Sequence, residues 1–312
     1  MVILKNLKYM SRIILITIVL TISLNSINTF GQGCSDAGMC TIASFKPSNS
    51  SSDSSTNNQF TIGLYYGKAD HSITVWGNYI EYQRQLTQQL GFGAKLTTLS
   101  QHGNGINAFG ISDLFLSGNY KFIDFLKFTL GLKIPLISKS FISSKKTLPM
   151  DYQSSLGTLD LLVGIGFEIK NVQFGLALQQ PLNQNENEFI AENQSINSVL
   201  RTFQTTNKYI RNGDLLCRLS YKIKLIKNLH LTPGVLPIYH LANDHFTDTS
   251  GVEREIILSQ GLTLNGNLYL DYQLNSKHSI QLNAGIPFIV RDTRPDGLTR
   301  SFIANLEYRL RF

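Results

Sequence analysis

Apolar and polar residues alternate one by one along most of this 312-residue chain, which is the pattern of β-strands with one apolar face. The final strand shows the pattern best. Its apolar face carries Phe302, Ala304, Leu306, Tyr308, Leu310 and Phe312, and its other face carries Ser301, Asn305, Glu307, Arg309 and Arg311. A strand of a soluble sandwich would look the same, so the repetition of this pattern along the chain decides the fold class.

The alternation recurs in eleven further segments of the chain. Their apolar faces would be buried in a soluble protein, yet their opposite faces are too polar to pack on a second layer. Lipid outside and water inside satisfy both faces, and closure removes sheet edges that hydrocarbon does not tolerate. The sequence therefore predicts an all-β fold, a closed antiparallel transmembrane β-barrel of about twelve strands. The predicted strands are 59–68, 73–85, 90–101, 111–122, 126–136, 157–169, 172–180, 213–225, 229–240, 257–274, 278–290 and 299–312.

The connections between these strands alternate between short and long. The short ones lie near 87–89, 123–125, 170–171, 226–228 and 275–277, and the long ones near 102–110, 137–156, 181–212, 241–256 and 291–298. Outer-membrane barrels have short periplasmic turns and longer extracellular loops. This rule places the first and last residues of the barrel on the periplasmic side. The connection 69–72, which would then be extracellular, is short for an extracellular loop.

The N-terminus has the features of an export signal. Lys5, Lys8 and Arg12 precede an apolar run over 13–24, which is shorter than the roughly 20 residues of a spanning helix. We therefore predict a signal peptide over 1–31 and a location in the cell outer membrane of a Gram-negative bacterium. An uncleaved anchor helix and a lipoprotein acylated on Cys34 are the alternatives.

Residues 32–58 form a separate segment before the predicted barrel, which spans 59–312. Cys34 and Cys40 bracket a short loop and are candidates for a small disulfide in the oxidising periplasm. A metal site is the alternative, but neither a histidine nor a third cysteine lies nearby. The Ser-rich stretch 47–58 reads as a linker, and 32–58 as a whole could plug the barrel.

Composition excludes some classes of function. The formal net charge is +7, but the chain contains no block of five like charges, so we expect no nucleic-acid partner. Nothing in the sequence indicates a cofactor or a metal. The expected partners are outer-membrane lipids, a small-molecule solute of unknown identity, and the barrel assembly machinery, which we expect to read Phe312 at the end of the last strand.

Charged residues on the polar faces are the better candidates for function. They should point into the lumen, where they must be hydrated or paired, because burying an unpaired charge costs several kcal/mol. They could line a pore or form a static filling, since twelve strands lie between filled and open barrels. The lumen-lining candidates are Lys95, Asp113, Lys121, Lys133, Asp160, Glu168, Arg218, Lys222, Asp271, Glu307 and Arg309.

Catalytic residues are not evident. His71-Ser72 and His278-Ser279 are adjacent His–Ser pairs, but neither has a supporting motif, and both fall at predicted turns. His240 and His245 flank Asn243-Asp244 in a long loop, a spacing that does not identify a metal site. We therefore predict that the protein is not an enzyme.

Three short stretches resemble one family. Ile111-Ser112-Asp113-Leu114, Gly131-Leu132-Lys133-Ile134-Pro135 and Ser155-Leu156-Gly157-Thr158-Leu159-Asp160 are similar to strand motifs of the outer-membrane barrels named as putative transporters of the phenol meta-cleavage degradation pathway. The resemblance covers about residues 111–180. It implies a barrel that passes small hydrophobic molecules.

The sequence thus predicts a passive channel or transporter for small, possibly hydrophobic, molecules. Two other interpretations remain. The barrel could be a structural or adhesion protein that acts through its extracellular loops, above all 181–212, or a lipid-modifying enzyme of the outer membrane.

Overall fold

The computed structural model describes residue 46 and residues 57–137, 142–143, 146–297 and 301–312. The predicted signal peptide, the Cys34–Cys40 pair and almost all of the segment 32–58 lie outside this part of the chain. Within it, no helix is long and apolar enough to cross a membrane.

Twelve antiparallel strands form one closed barrel. In chain order the described strands are β1 (Asn58–Lys68), β2 (Thr74–Gln85), β3 (Leu90–Gly103), β4 (Ile106–Ile123), β5 (Leu126–Pro135), β6 (Ile142–Ser143), β7 (Lys146–Thr147), β8 (Asp160–Ile169), β9 (Val172–Pro181), β10 (Asp214–Tyr221), β11 (Ile223–Ile226), β12 (Leu229–His240), β13 (His245–Thr247), β14 (Glu253–Glu255), β15 (Gly261–Gln273), β16 (His278–Ile289) and β17 (Phe302–Arg311). The sheet runs from β10 through β9, β8, β5, β4, β3, β2, β1, β17, β16 and β15 to β12, which pairs back with β10, while β11 continues β10 along β12. The short hairpins β6–β7 and β13–β14 belong to loops.

The predicted fold class is confirmed, and each predicted strand overlaps one strand of the barrel. One predicted loop is wrong. Residues 102–110 do not form a long connection, because β3 and β4 continue to a two-residue turn at Asn104-Gly105, where both residues have positive φ (53° and 74°). Asn-Gly is the preferred pair for such a turn. The prediction missed it because Gly103, Asn104 and Gly105 together favour a loop.

The two faces of the wall have opposite character. Outward side chains are apolar and exposed, as at Leu64 (56% exposed), Leu130 (49%) and Leu306 (49%). Inward side chains such as Thr61 and Gln281 are polar and buried. An apolar exterior around a closed polar interior is stable only in hydrocarbon, so this protein is an outer-membrane β-barrel.

The start of β1, the end of β17 and the short turns lie at one end of the barrel, which is the periplasmic end by the rule for outer-membrane barrels. There the last residue closes the sheet: Phe312 N donates to Asn58 O (3.0 Å), and Asn58 N donates to Phe312 O (3.1 Å). The Phe312 side chain is exposed. Its recognition by the assembly machinery stays a prediction.

Two tyrosines fill gaps left by glycines on the inner face of β1 and β2. Tyr79 lies opposite Gly63, and Tyr65 lies opposite Gly77. A Cβ at Gly63 would come within 2.0 Å of the Tyr79 ring, and one at Gly77 within 2.0 Å of the Tyr65 ring. The rings therefore lie flat across the neighbouring strand, and a side chain at either glycine would displace them.

We expect Gly63→Ala to lower the free energy of unfolding by about 1–3 kcal/mol, because the added methyl overpacks the Tyr79 ring. The matched control is Gly118→Ala on β4, where nothing lies within 4 Å of an added Cβ. Urea unfolding of both variants refolded in lipid vesicles measures the effect. Equal midpoints for the two variants would contradict this account of the glycines.

Candidate functional site

The structure places the lumen-lining candidates on the inner face of the wall or at its periplasmic end. Seven are buried: Lys95, Asp113, Lys133, Asp160, Arg218, Asp271 and Glu307. Glu168, Lys222 and Arg309 are half-buried, and Lys121 is exposed near the periplasmic turn, where its Nζ lies 2.7 Å from Asp124. Contacts join some of these side chains into two groups.

The first group is an ion pair between β5 and β8. Lys133 Nζ lies 3.0 Å from Asp160 Oδ2 and donates to Thr158 Oγ1 at 3.2 Å. Both charged side chains are almost completely buried (1% and 0% exposed). Gln179 on β9 also donates to Asp160. This pair holds the start of β8 against β5 from inside the barrel.

The second group centres on Glu307 of β17. Its carboxylate accepts from Arg309 Nη2 at 2.6 Å and from Asn305 Nδ2 at 2.9 Å. Arg309 also reaches Asp271 Oδ1 on β15 at 3.3 Å. Lys46 of the N-terminal segment pairs with Glu307 as well, so the ammonium of Lys46 lies inside the lumen.

Sequence reasoning missed Lys46 and Tyr79 as members of the lumen. Lys95 Nζ lies 3.7 Å from the centre of the Tyr79 ring, a cation–π contact, and Lys46 Nζ lies 3.4 Å from Tyr79 Oη. The alternation of β2 could have placed Tyr79 inward. No sequence pattern could have placed Lys46, because its partners are more than thirty positions away.

Loops fill the extracellular mouth. Tyr152, Phe189 and Phe203 come from the two longest connections and pack with inner-face residues such as Val75 and Leu99 in one buried cluster. Tyr152 Oη donates to Gly103 O at 3.0 Å, which ties its loop to the rim. The long loop 181–212, through which the alternative adhesion barrel would act, thus turns inward at Phe189 and Phe203.

A buried network of charges holds these loops to the rim on the opposite side. His240 Nδ1 lies 2.7 Å from Asp214 Oδ1, and its Nε2 lies 2.8 Å from Asp244 Oδ1. Both ring nitrogens can donate only when the ring is an imidazolium. Tyr209 Oη donates to Asp244 at 2.7 Å, and burial, together with the charge of Asp244, raises the pKa of Tyr209 well above its ordinary value.

Two arginines complete the network. Arg211 pairs with Asp214, and Arg291 Nη2 lies 2.8 Å from Asp296 Oδ2. Although burial acts against its charge, Asp296 and Asp214 raise the pKa of Arg291. With His240 as an imidazolium, three cations face three carboxylates, so the network is neutral.

The histidines considered for chemistry have structural contacts. His71 stacks on Phe203 with ring centres 4.0 Å apart, His245 Nδ1 lies 2.9 Å from Glu253 Oε1, and His278 contacts Tyr308 Oη. Among the residues that the structure describes, no group of three His, Cys, Asp or Glu side chains is arranged to hold a metal ion.

A cavity of about 540 Å³ lies at the periplasmic end of the lumen. Its lining includes Lys121, Lys127, Arg218 and Arg311, with Glu168 and Asp124 as acidic members. The barrel thus has a filled extracellular half and a hollow, mostly basic, periplasmic end.

Comparisons with known proteins support the fold. No model of a protein family matches the sequence, and the search of curated proteins found no match either. The COG4313 outer membrane channel from Pseudomonas putida F1 superposes with a TM-score of 0.53 at 13% identity, over 82% of this chain and 96% of that one. This similarity shows a shared outer-membrane barrel fold, while the family suggested by the sequence motifs stays a prediction.

Two other solved barrels superpose more loosely. The NanC porin gives a TM-score of 0.43 at 9% identity, over 81% of this chain and 98% of that one. The TodX deltaS2S3 mutant monoaromatic hydrocarbon channel gives 0.41 at 12% identity, over 86% and 92%. At these scores neither comparison bears on the details of this barrel.

We expect Lys133→Met to lower the free energy of unfolding by about 3–5 kcal/mol, because it leaves the buried carboxylate of Asp160 without its cation. Replacing both partners, in Lys133→Met/Asp160→Leu, should restore most of the loss. Lys121→Met is the control, since its ion pair with Asp124 is exposed and screened by water. Unfolding in detergent measures all three variants, and a similar loss for Lys121→Met would refute the role assigned to the buried pair.

The packing of the loops should weaken in acid through His71. Burial lowers the pKa of His71 below its ordinary value of 6.5; Asp70 acts against this shift and Arg294 adds to it. The unfolded chain therefore takes up a proton first as the pH falls below 6.5, and this contribution to stability is present above that pH and lost below it.

We expect the wild-type unfolding midpoint to fall more steeply than that of His71→Asn between about pH 7 and pH 5. Asparagine suits the positive φ of this position (53°). His102→Asn, which keeps His71, should retain the wild-type slope. Parallel pH profiles for wild type and His71→Asn would show that His71 does not couple packing to pH.

Proposed function

We propose that this outer-membrane barrel is a passive channel for small molecules that rests closed, with its extracellular mouth sealed by its own loops. The observation that carries the proposal is the contrast between the two halves of the lumen. The extracellular half is filled by packed loops, and the periplasmic end holds a cavity of about 540 Å³. A barrel that served only as a static element would not need a cavity of that size.

The seal consists of contacts that can separate without breaking the wall. Phe203 stacks on His71 and lies 5.9 Å from Tyr152, measured between ring centres. Asn187 donates to Leu148 O at 3.1 Å, which links the two long loops to each other. Side-chain contacts such as that of Tyr152 Oη with Gly103 O join the loops to the wall, while the wall strands are held to one another by their own backbone pairing, so release of the loops would leave the barrel closed. Loop motions of this kind commonly gate access to a site.

The inner wall beneath the seal fits a solute with an apolar part. Ile73, Val75, Leu99 and Ala108 lie under the loops and would border the passage once the loops moved. Farther down, the wall becomes polar. A solute would therefore pass an apolar section first and a charged section second, which supports small and partly hydrophobic molecules as cargo.

The test is conductance in planar lipid bilayers. We expect the full chain to conduct rarely, and Phe189→Ala/Phe203→Ala to conduct much more often, because each truncation removes a buried ring worth about 3–5 kcal/mol. Val252→Ala, in an exposed part of a loop, is the matched control and should behave as wild type.

Heat-dependent mobility on a gel checks that every sample contains the folded barrel. If neither the wild type nor the folded double variant conducts, the channel proposal is wrong. If both conduct equally and often, the loops do not form the seal.

A further inference from the structure

A row of five residues crosses the inner wall at the periplasmic cavity. Successive cross-strand partners join Lys121 on β4 to Lys127 on β5, Lys127 to Gly166 on β8, Gly166 to Gly175 on β9, and Gly175 to Arg218 on β10. All five residues line the cavity. We call them the basic row.

The two glycines of the row leave space rather than making contacts. Among the residues that the structure describes, a Cβ at Gly166 would meet only Phe174 O, and one at Gly175 only Ile165 O, each at 3.9 Å. Both glycines have negative φ, so no turn or unusual backbone conformation requires them. This differs from Gly63 and Gly77, where a tyrosine ring occupies the gap. At Gly166 and Gly175 the space that a side chain would fill is part of the cavity.

Basic residues lie on both sides of the gap at Gly166 and Gly175. Neighbouring strands lie about 4.8 Å apart, so the backbones of Lys127 and Arg218 are about 14 Å from each other across the two glycines. Both side chains are long enough to reach over the gap from opposite sides. The recess is therefore bare backbone in the middle with a cation at each edge.

The cavity lining as a whole carries an excess of positive charge. Six of its side chains are basic and two are acidic, and five basic ones remain when Lys46, which pairs with Glu307 outside the lining, is set aside. Of the two acids, Asp124 pairs with Lys121 at the exposed turn, and Glu168 accepts from Gln173 Nε2 at 3.1 Å next to Lys127. The excess of positive charge attracts anions into a confined space.

From the basic row and its glycine gap we infer that the periplasmic cavity binds small organic anions, with carboxylate or phosphate groups held between Lys127 and Arg218. Arginine pairs with such groups through two parallel hydrogen bonds, and lysine acts as a point charge. The site lies inside a closed wall, so its ligand is a solute in the lumen and not the phosphate of a lipid. The inference names a cargo class for the proposed channel, but the binding itself does not depend on conduction.

The experiment uses the full mature chain in detergent and pyrene-1,3,6,8-tetrasulfonate, a fluorescent tetra-anion, as the probe. Fluorescence anisotropy at low salt gives the affinity. We expect saturable binding that weakens about tenfold in Lys127→Gln and in Arg218→Gln, since each loses one charge-assisted contact. Lys227→Gln, in an exposed turn at the same end of the barrel, is the matched charge control and should bind as wild type.

A second pair of variants tests the gap without changing charge. Gly175→Leu should abolish binding by filling the recess, while its unfolding midpoint stays near that of wild type, because an added Cβ would meet only Ile165 O, at an ordinary contact distance of 3.9 Å. Gly118→Leu, which adds the same side chain on β4 at a position with open space around it, should bind the probe normally. Glu168→Gln should bind it more tightly.

Outcomes separate this inference from the proposed channel. The anion site is wrong if the folded wild type shows no saturable binding of the probe. It is also wrong if neither Lys127→Gln nor Gly175→Leu changes the affinity for the probe. Binding that depends on these residues, in a barrel whose loop variants never conduct, supports the site and rejects the channel. If the loop variants conduct, a potassium chloride gradient should give a reversal potential of anion sign that shrinks in Lys127→Gln.

Discussion

The rest of this structure depends on the pairing of every wall strand with two neighbours. In hydrocarbon an unpaired backbone group costs several kcal/mol, so a sheet has to close on itself. Here the ring of paired strands includes the pairing of β12 with β10 and the pairing of β17 with β1, where Phe312 and Asn58 exchange backbone hydrogen bonds. Once the wall is closed, its side chains have only two surroundings, lipid outside and a narrow lumen inside.

The narrow lumen explains why charge is organised as it is. Inward charges cannot all be hydrated, and the structure handles them in three ways. Lys133 and Asp160 form a direct ion pair. Glu307 forms ion pairs with both Lys46 and Arg309. In the network around His240 at the rim, three cations face three carboxylates. Among the described residues, basic side chains outnumber acidic ones around the periplasmic cavity, where Gly166 and Gly175 also leave open space. An excess of positive charge and open space thus coincide, as expected of a place where a solute completes the lining.

Sequence reasoning located the strands because alternation is a local signal and lipid enforces it without interruption. It missed the Asn104-Gly105 turn, since the run of Gly103, Asn104 and Gly105 favours a longer loop. It also identified inward charges such as Lys133 and Glu307 without naming their partners, because pairing depends on register across strands distant in sequence. The inward packing of Phe189 and Phe203 could not be predicted at all: a long polar connection looks the same whether it extends outward or folds back. Gly166 and Gly175 each look like an ordinary strand glycine until the register sets them side by side.

Bare backbone at Gly166 and Gly175 has an electrostatic consequence. Their neighbours along the strands, Ile165, Phe167, Phe174 and Leu176, are apolar and lie on the lipid-facing side of the wall. A single layer of peptide groups therefore separates this part of the lumen from hydrocarbon. Because attraction between charges grows as the dielectric constant of the surroundings falls, Lys127 and Arg218 should hold an anion here more strongly than the same two side chains would in a wide, water-filled pore. The thinnest part of the wall is thus where charge recognition is expected to be strongest.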